Sequence, residues 1–479
     1  MCRNLLPLSL VGLRVFMVGI KGSGMTALAE LFKHMGALPQ GSDTHETFYT
    51  DAILTELGIP ICEGFDKANL PAQCDLVVYS AAYDPATHPE LLAATERGLP
   101  MLTYPEALGE LSRRVPSVGV SGVHGKTTTT AMAGELIRMG KLPGNVLVGS
   151  ASLGFGGRQV YTGGDRFLVA ETCEYRRHFL SFTPTVLVLT GVEADHLDYY
   201  HDYEDIRNAF VEYTERITEG GSLIYCADNA GACEVAAAVA SLRPDVKRIP
   251  YGHSAEGGFR IYEISYEEGK QVFRLEGVAE PFELPVPGRH NQLNAAAAFA
   301  AVDELSRAVG LRALSAETAT SALAAFRGTK RRAELRGEYQ GVLFMDDYGH
   351  HPTAIAGTLE GLRDFYPGRR LVVDFMSHTF SRTEALLQDF AHCFAAADLV
   401  ILHRIYASAR EQYDGSVDGH TLFRAVSAQH SAVQYFEEPL DAVPYLRSTL
   451  QPGDLFVTLG AGDNWRIIDT LLDLPEFSR

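Results

Sequence analysis

Residues 121–130 read SGVHGKTTTT and stand between an apolar run, VPSVGVS at 115–121, and a helical pattern from Lys126 to Met139. Strand, glycine turn and helix in that order close backbone N–H groups on an anion and aim a helix N-terminus at it. Gly122 and Gly125 free the turn, Lys126 brings a charge to outer phosphates, and Thr127 brings a hydroxyl suited to magnesium. The strict spacing of such loops places a further glycine at 120, where this chain has Val120, so the motif is a shortened form. A loop of this kind needs a largely parallel sheet with helices on its faces, so the fold class is α/β.

The chain has 479 residues, more than one core accommodates, and three blocks are expected: 1–112, 113–325 and 326–479. In the first, LRVFMVGI (13–20) and DLVVYS (75–80) read as strands, with helices from Met25 to Met35 and over 88–98. Strands alternating with helices predict a Rossmann-like parallel sheet. The central block repeats the pattern with strands at 167–171, 185–190 and 222–226, a β-rich insertion over 255–287 and an Ala-rich helix at 291–309. The third block has strands at 342–346, 370–375, 398–403 and 454–460, a second doubly wound sheet.

Composition narrows the function. A net charge of −19 with no long block of Lys or Arg argues against nucleic-acid binding, which needs a positive footprint. No run of 18 apolar residues occurs, so no membrane insertion is expected. The apolar stretch from Leu5 to Ile20 is interrupted by Arg14 and followed by a glycine turn, which suits a first strand better than a signal peptide. Seven widely spaced Cys without a C-x-x-C pair point to reduced thiols and a cytoplasmic protein.

A second glycine cluster, Gly19-x-x-Gly22-x-Gly24, is either a dinucleotide-type turn or a tight turn with no ligand. Gly41-Ser42-Asp43 follows about twenty residues on, where a ribose-binding acid sits in dinucleotide folds. Two nucleotide-type loops suggest a nucleotide-linked substrate on one and ATP on the other. Strand ends beside the phosphate loop carry Glu171, then Glu174, and GVEADHLDYY (191–200) with Glu193, Asp195, His196 and Asp198. Glu171 and His196 are candidate magnesium ligands, although histidine is an unusual partner for that hard ion. In GRHNQLN (288–294), Asn291 and Asn294 either cap the helix or read an adenine edge.

GIKGSGM (19–25), SGVHGKTTTT, EADHLD (193–198), PGRHNQLNAAAA (287–298), RGTKRRAE (327–334) and DDYGHHPT (346–353) together resemble the Mur ligases of peptidoglycan synthesis. The resemblance runs over nearly the whole chain, and DDYGHHPT is nearest to the alanine-adding branch. It implies a Rossmann-like first domain holding the UDP of UDP-N-acetylmuramate through Gly19, Gly22, Ser23, Gly24, Met25, Ser42 and Asp43. It implies a P-loop central domain with Gly122, Val123, His124, Gly125, Lys126, Thr127 and Thr128 on ATP and Asn291 or Asn294 on adenine. Thr127, Glu171 and His196 would hold magnesium, two ions in all. Lys126, Glu171, His196, Arg331 and His351 would serve catalysis. A Rossmann-like third domain would dock the amino acid, with Asp347, His350, His351, His378 and Arg382 near the reacting end. The implied reaction phosphorylates the lactyl carboxylate and lets the amine of L-alanine attack the acyl phosphate. The alternative within the family is the ligase that recycles a ready-made tripeptide. It usually has Phe-Ala where this chain has Tyr348-Gly349. A folylpolyglutamate-synthase-like enzyme would lack the first domain.

The chain departs from the family pattern in places. Lys21 replaces a glycine, which would add a cation near the UDP phosphates, and Val123 replaces Thr. TCEYRRHF (172–179) replaces an Asp-rich run, and Gly191 replaces Asn. FMSHTFSRT (375–383) lacks a proline and one arginine, and the turn at Tyr406 reads YASARE, ending at Glu411. No Lys occurs from 142 to 246, so the carbamylated lysine of several relatives is absent.

Overall fold

A computed structural model describes residues 5–196, 199–267, 269–407, 415 and 417–472; Asp198 and Glu411 lie outside the described residues. The described residues form three sheets. The first is wholly parallel and runs, edge to edge, Ile61–Glu63, Leu38–Asp43, Arg14–Val18, Leu76–Tyr79 and Met101–Thr103. Val15 to Val18 are buried on both faces, as parallel strands between helix layers must be. The helix Ser23–His34 follows the first strand and buries Met25, Ala27, Leu28, Leu31 and Phe32.

The central sheet has ten strands. The phosphate-loop strand Ser117–Ser121 lies in its interior, parallel to Val186–Leu189 on one side and Leu168–Glu171 on the other. Three strand C-termini therefore converge on one crevice, at Ser121, Glu171 and Leu189. This is the place where doubly wound sheets bind ligands. The stretch expected as a β-rich insertion lengthens this sheet. Phe259–Glu267 pairs parallel with Lys247–Gly252, and two antiparallel strands, Lys270–Leu275 and Phe282–Leu284, finish the edge. The Ala-rich helix runs Arg289–Ala308 and packs along the phosphate-loop helix Lys126–Met139. Ala295 to Ala298 are at most 1% exposed, and such small side chains let two helix backbones approach closely.

The third sheet is ordered Glu334–Tyr339, Val342–Asp347, Asp454–Leu459, Arg370–Phe375, Leu399–Leu402 and Val433–Tyr435, with only the first pair antiparallel. Its centre carries a buried pair, His403 Nε2 to Asp374 Oδ2 at 2.8 Å, both fully buried. Ion pairs tie the sheets together. Arg158 of the central sheet reaches Glu30 at 3.0 Å and Glu56 at 2.5 Å in the first unit. Arg382 of the third reaches Asp195 at 2.9 Å. Among the described residues, no helix is long and apolar enough to cross a membrane.

Candidate active site

Both loop glycines are required by space as well as conformation. Gly122 has φ +128°, and a Cβ there would stand 2.2 Å from Thr190 Oγ1. Gly125 has φ +82°, and its Cβ would stand 2.4 Å from Asn294 Oδ1. Val123 is turned inward, its N–H donating to the Gly191 carbonyl at 3.0 Å. Gly191 in turn fits because a Cβ there would press on the Asn229 amide at 3.1 Å. Thr128 is buried in the helix behind the loop.

Lys126 opens the helix and folds back over the loop. Its Nζ donates to both oxygens of Glu174, at 3.0 and 2.9 Å, and to the Gly122 carbonyl at 2.5 Å. The Glu174 side chain is 2% exposed and that of Lys126 13%. Burial alone would neutralise Glu174. The Lys126 ammonium and the His196 imidazole outweigh it and hold the carboxyl below its ordinary range. Burial likewise opposes the charge on Lys126, and Glu174 more than offsets it, so the ammonium is raised. Glu174 was not among the residues singled out for this role by sequence. The available signal was a second acid three residues past the strand-end Glu171.

Glu171 accepts from Thr127 Oγ1 at 2.9 Å and from the Gly149 N–H at 3.0 Å. A Cβ at Gly149 would lie 2.2 Å from that carboxylate, so the strand Asn145–Ser152 makes room for it. Thr127 and Glu171 are therefore adjacent oxygen donors at the mouth of the loop, a set that fits a hard cation. His196 is placed differently. Its ring faces Glu174 at 3.4 Å and Asp195 at 3.8 Å, and its backbone is left-handed at φ +53°. The Asp195 carboxylate holds that backbone through the His196 N–H at 2.7 Å. A cavity of about 130 Å³ opens beside Glu171, lined among others by Tyr104, Leu108, Leu147, Cys173 and Phe179.

Asn291 and Asn294 are both 5% exposed and bonded within the protein. Asn294 accepts from Thr129 Oγ1 at 3.2 Å and donates to Asn291 Oδ1 at 2.9 Å, while Asn291 donates to the Pro287 carbonyl at 2.6 Å. In this arrangement the pair braces the back of the phosphate loop rather than presenting free amides to a base.

The first glycine turn is built by Gly19, at φ +81°, and by Gly41, whose Cβ would stand 2.1 Å from the Met17 carbonyl. Gly22 donates to the Gly19 carbonyl at 3.2 Å. Gly24 lies against Tyr104, where a Cβ would come within 2.9 Å of the ring. Ser23 shares a hydrogen bond of 2.7 Å with Tyr49, and Met25 is buried. Asp43, expected on a ribose, is 5% exposed and holds the turn by accepting from Lys21 N–H at 2.6 Å and Thr44 N–H at 2.8 Å. Ser42 donates to the buried Glu90 at 2.5 Å. Lys21, expected to add a cation near the UDP phosphates, is placed elsewhere. Its ammonium is buried against Asp51 at 3.1 Å and the Thr44 and Glu46 carbonyls, so it stiffens the turn and brings no cation to its mouth.

In the third unit Arg331 is an anchor. Its guanidinium donates to the buried Asp346 at 2.9 Å and to the Gly460 carbonyl at 2.7 Å, and it lies over the Tyr348 ring. Asp347 accepts from the Ala333 and Gly349 N–H groups at 2.7 and 2.6 Å, which fixes the turn after Val342–Asp347. Arg331 and Asp347, expected near the reacting end, are thus bonded to groups of the third unit itself. His350 Nδ1 lies 2.9 Å from the Tyr348 carbonyl; burial and the nearby Arg382 hold its ring well below the usual histidine range. His378 stacks on Tyr406 at 6.0 Å. His351 caps the helix Pro352–Phe365 and brings its ring to 5.2 Å from that of His124 in the phosphate loop. Burial, then the neighbouring His351, lowers His124 to about 3. The structure thus gathers Lys126, Thr127, Glu171, His196, His124, His351 and Arg382 around one crevice.

Three family models match in order along the chain: the Mur ligase family catalytic domain at 14–115, the Mur ligase middle domain at 120–302, and the Mur ligase glutamate ligase domain at 331–462. The UDP-N-acetylmuramate–L-alanine ligase of Treponema pallidum is 49% identical over 99% of both chains. Among solved structures, the UDP-N-acetylmuramate-alanine ligase MurC from Thermotoga maritima superposes with a TM-score of 0.77 at 23% identity, covering 95% of this chain and 98% of that one. The murein peptide ligase of Psychrobacter arcticus does so with a TM-score of 0.65 at 23% identity, covering 96% and 98%. The chain belongs to the Mur ligase family.

Proposed function

We propose that this chain joins L-alanine to the lactyl carboxylate of UDP-N-acetylmuramate, with cleavage of ATP to ADP and phosphate. The carrying observation is the likeness, along almost the whole chain, to the Treponema ligase of that name. In this reading residues 1–112 hold the UDP moiety at the turn of Gly19, Gly22 and Gly24, residues 113–325 hold ATP, and residues 326–479 dock the amine. The enzyme works in the cytoplasm.

The site supports the chemistry as follows. Lys126, held at the mouth of the loop by Glu174, would bring its ammonium to the outer phosphates of ATP. Because the transferred phosphoryl group passes through a loose transition state, charge neutralisation and alignment do most of the work. Thr127 and Glu171 would hold magnesium, which supplies further neutralisation of the phosphate oxygens; the reading includes a second ion near His196. Arg382 meets Asp195 one residue before His196, so the third domain reaches the strand ends where the acyl phosphate would form. Closure of that domain keeps water from the intermediate.

The test is a competition in which UDP-N-acetylmuramate and ATP are offered L-alanine and the tripeptide at equal concentration, with products separated by mass. The alanyl product should dominate, and predominance of the tripeptide product would replace this reading with the recycling one. Glycine and L-serine should be used more weakly, since one missing methylene or one added hydroxyl discriminates by only about 1–3 kcal/mol.

The separate placement of the two metal candidates gives a graded expectation. Glu171→Gln should raise the magnesium concentration needed for half-maximal rate more than His196→Ala does. Glu171 shares its oxygens with Thr127, whereas His196 faces Glu174. A magnesium titration of the three proteins reads this, and an unchanged requirement in Glu171→Gln would remove Glu171 from the metal site.

A further inference from the structure

We infer that His124, Glu193 and His351 form a binding site for a zinc-type divalent ion, separate from the Thr127–Glu171 pair. The three offer ligand atoms that all lie within 4.8 Å of one another. They come from three parts of the chain: the phosphate loop, the segment after Val186–Leu189, and the cap of Pro352–Phe365. Ligands around a tetrahedral ion at about 2.0–2.2 Å stand about 3.3–3.6 Å apart, so modest side-chain rotation completes the set.

Independent features aim these groups at a ligand. The Nε2 atoms of His124 and His351 are both buried without a hydrogen-bond partner among the described residues. Buried nitrogens of this kind are rare unless something occupies the space before them. Glu193 already has an outer partner. Asn229 Nδ2 donates to its Oε1 at 3.3 Å, while Oε2 faces His124 Nε2 at 3.9 Å. A carboxylate steadied through one oxygen while the other faces the site is how supporting contacts orient metal ligands. The His351 ring is lightly held, since its Nδ1 accepts only a long 3.4 Å bond from the Thr353 N–H. It can take the tautomer that leaves Nε2 open. Two neutral imidazoles and one carboxylate suit zinc, and suit magnesium poorly, because magnesium asks for six oxygens. An ion here would join the phosphate loop to the third domain.

The experiment titrates zinc into the full-length, nucleotide-free protein by calorimetry in excess magnesium, and locates the ion by anomalous diffraction at the zinc edge. Wild type should bind zinc between the three side chains. Glu193→Gln and His351→Asn should each weaken binding by about tenfold or more, the scale on which even outer-shell changes act. Asparagine at 351 keeps a helix-capping group, so a loss there reports on the imidazole. Equal affinity in wild type and both variants, displacement of zinc by magnesium, or an anomalous peak elsewhere would overturn the site.

Discussion

Lys126→Ala should stop turnover and also weaken the fold. Removing one preorganised group that stabilises charge in a transition state typically costs about 2.7–4 kcal/mol, or roughly 10²–10³ in rate. The second effect comes from Glu174, which sits 2% exposed with both oxygens on the lysine ammonium. Breaking a buried pair from one side strands a charge and costs about 3–5 kcal/mol. The low end applies, because His196 remains 3.4 Å from Glu174 and shares the charge. The double variant Lys126→Met/Glu174→Gln removes both charges and should regain most of the lost stability while staying inactive. Urea unfolding and kcat of wild type, the single variant and the double variant separate the two effects. A Lys126→Ala protein with near-wild-type kcat would refute the nucleotide site. Wild-type stability in that variant would refute the buried pair.

Features carried by local pattern were legible in the sequence. The phosphate loop, the strands beside it and the long helices announce themselves through runs of buried apolar residues and through glycines that only a tight turn needs. What was not legible depends on partners far along the chain. Glu174 meets a lysine 48 residues earlier, and Asn294 packs under Gly125 from 169 positions away. Nothing in a strand's own residues tells which neighbour it pairs with, so 255–287 read correctly as β but not as the edge of the main sheet. Arg331, Asp347 and Asp43 carry the residue types that catalysis uses, yet each is taken up by backbone donors or a buried ion partner. A charged residue beside a turn serves either end, and only the fold decides between them. Lys21 makes the same point, since a lysine in a glycine turn reads as a phosphate ligand until its ammonium is found on Asp51.

Arg382→Ala should lower kcat/KM for ligation by about 10²-fold while leaving the affinity for an ATP analogue within about twofold of wild type, the scale that a misplacement of about 1 Å imposes on an aligned reaction. Arg382 holds Asp195, which in turn fixes the left-handed backbone of His196. The contact therefore links the third domain to the strand ends beside the phosphate loop. Burial would raise the Asp195 carboxyl, but His196 and Arg382 outweigh it and hold it far below the ordinary carboxylate range. A depressed carboxylate contributes stability above its unfolded pKa of about 3.9 and loses it only as pH falls through the folded value. The contact should accordingly be intact across the neutral range and give no pH dependence there. Asp195→Asn keeps the side-chain volume and removes the charge, so it should reproduce most of the loss. Since either change breaks the same contact, the double variant should fall little below the worse single one. Steady-state kinetics on the four proteins, with nucleotide binding measured separately, decide it. Additive losses would mean that Arg382 and Asp195 act on separate steps.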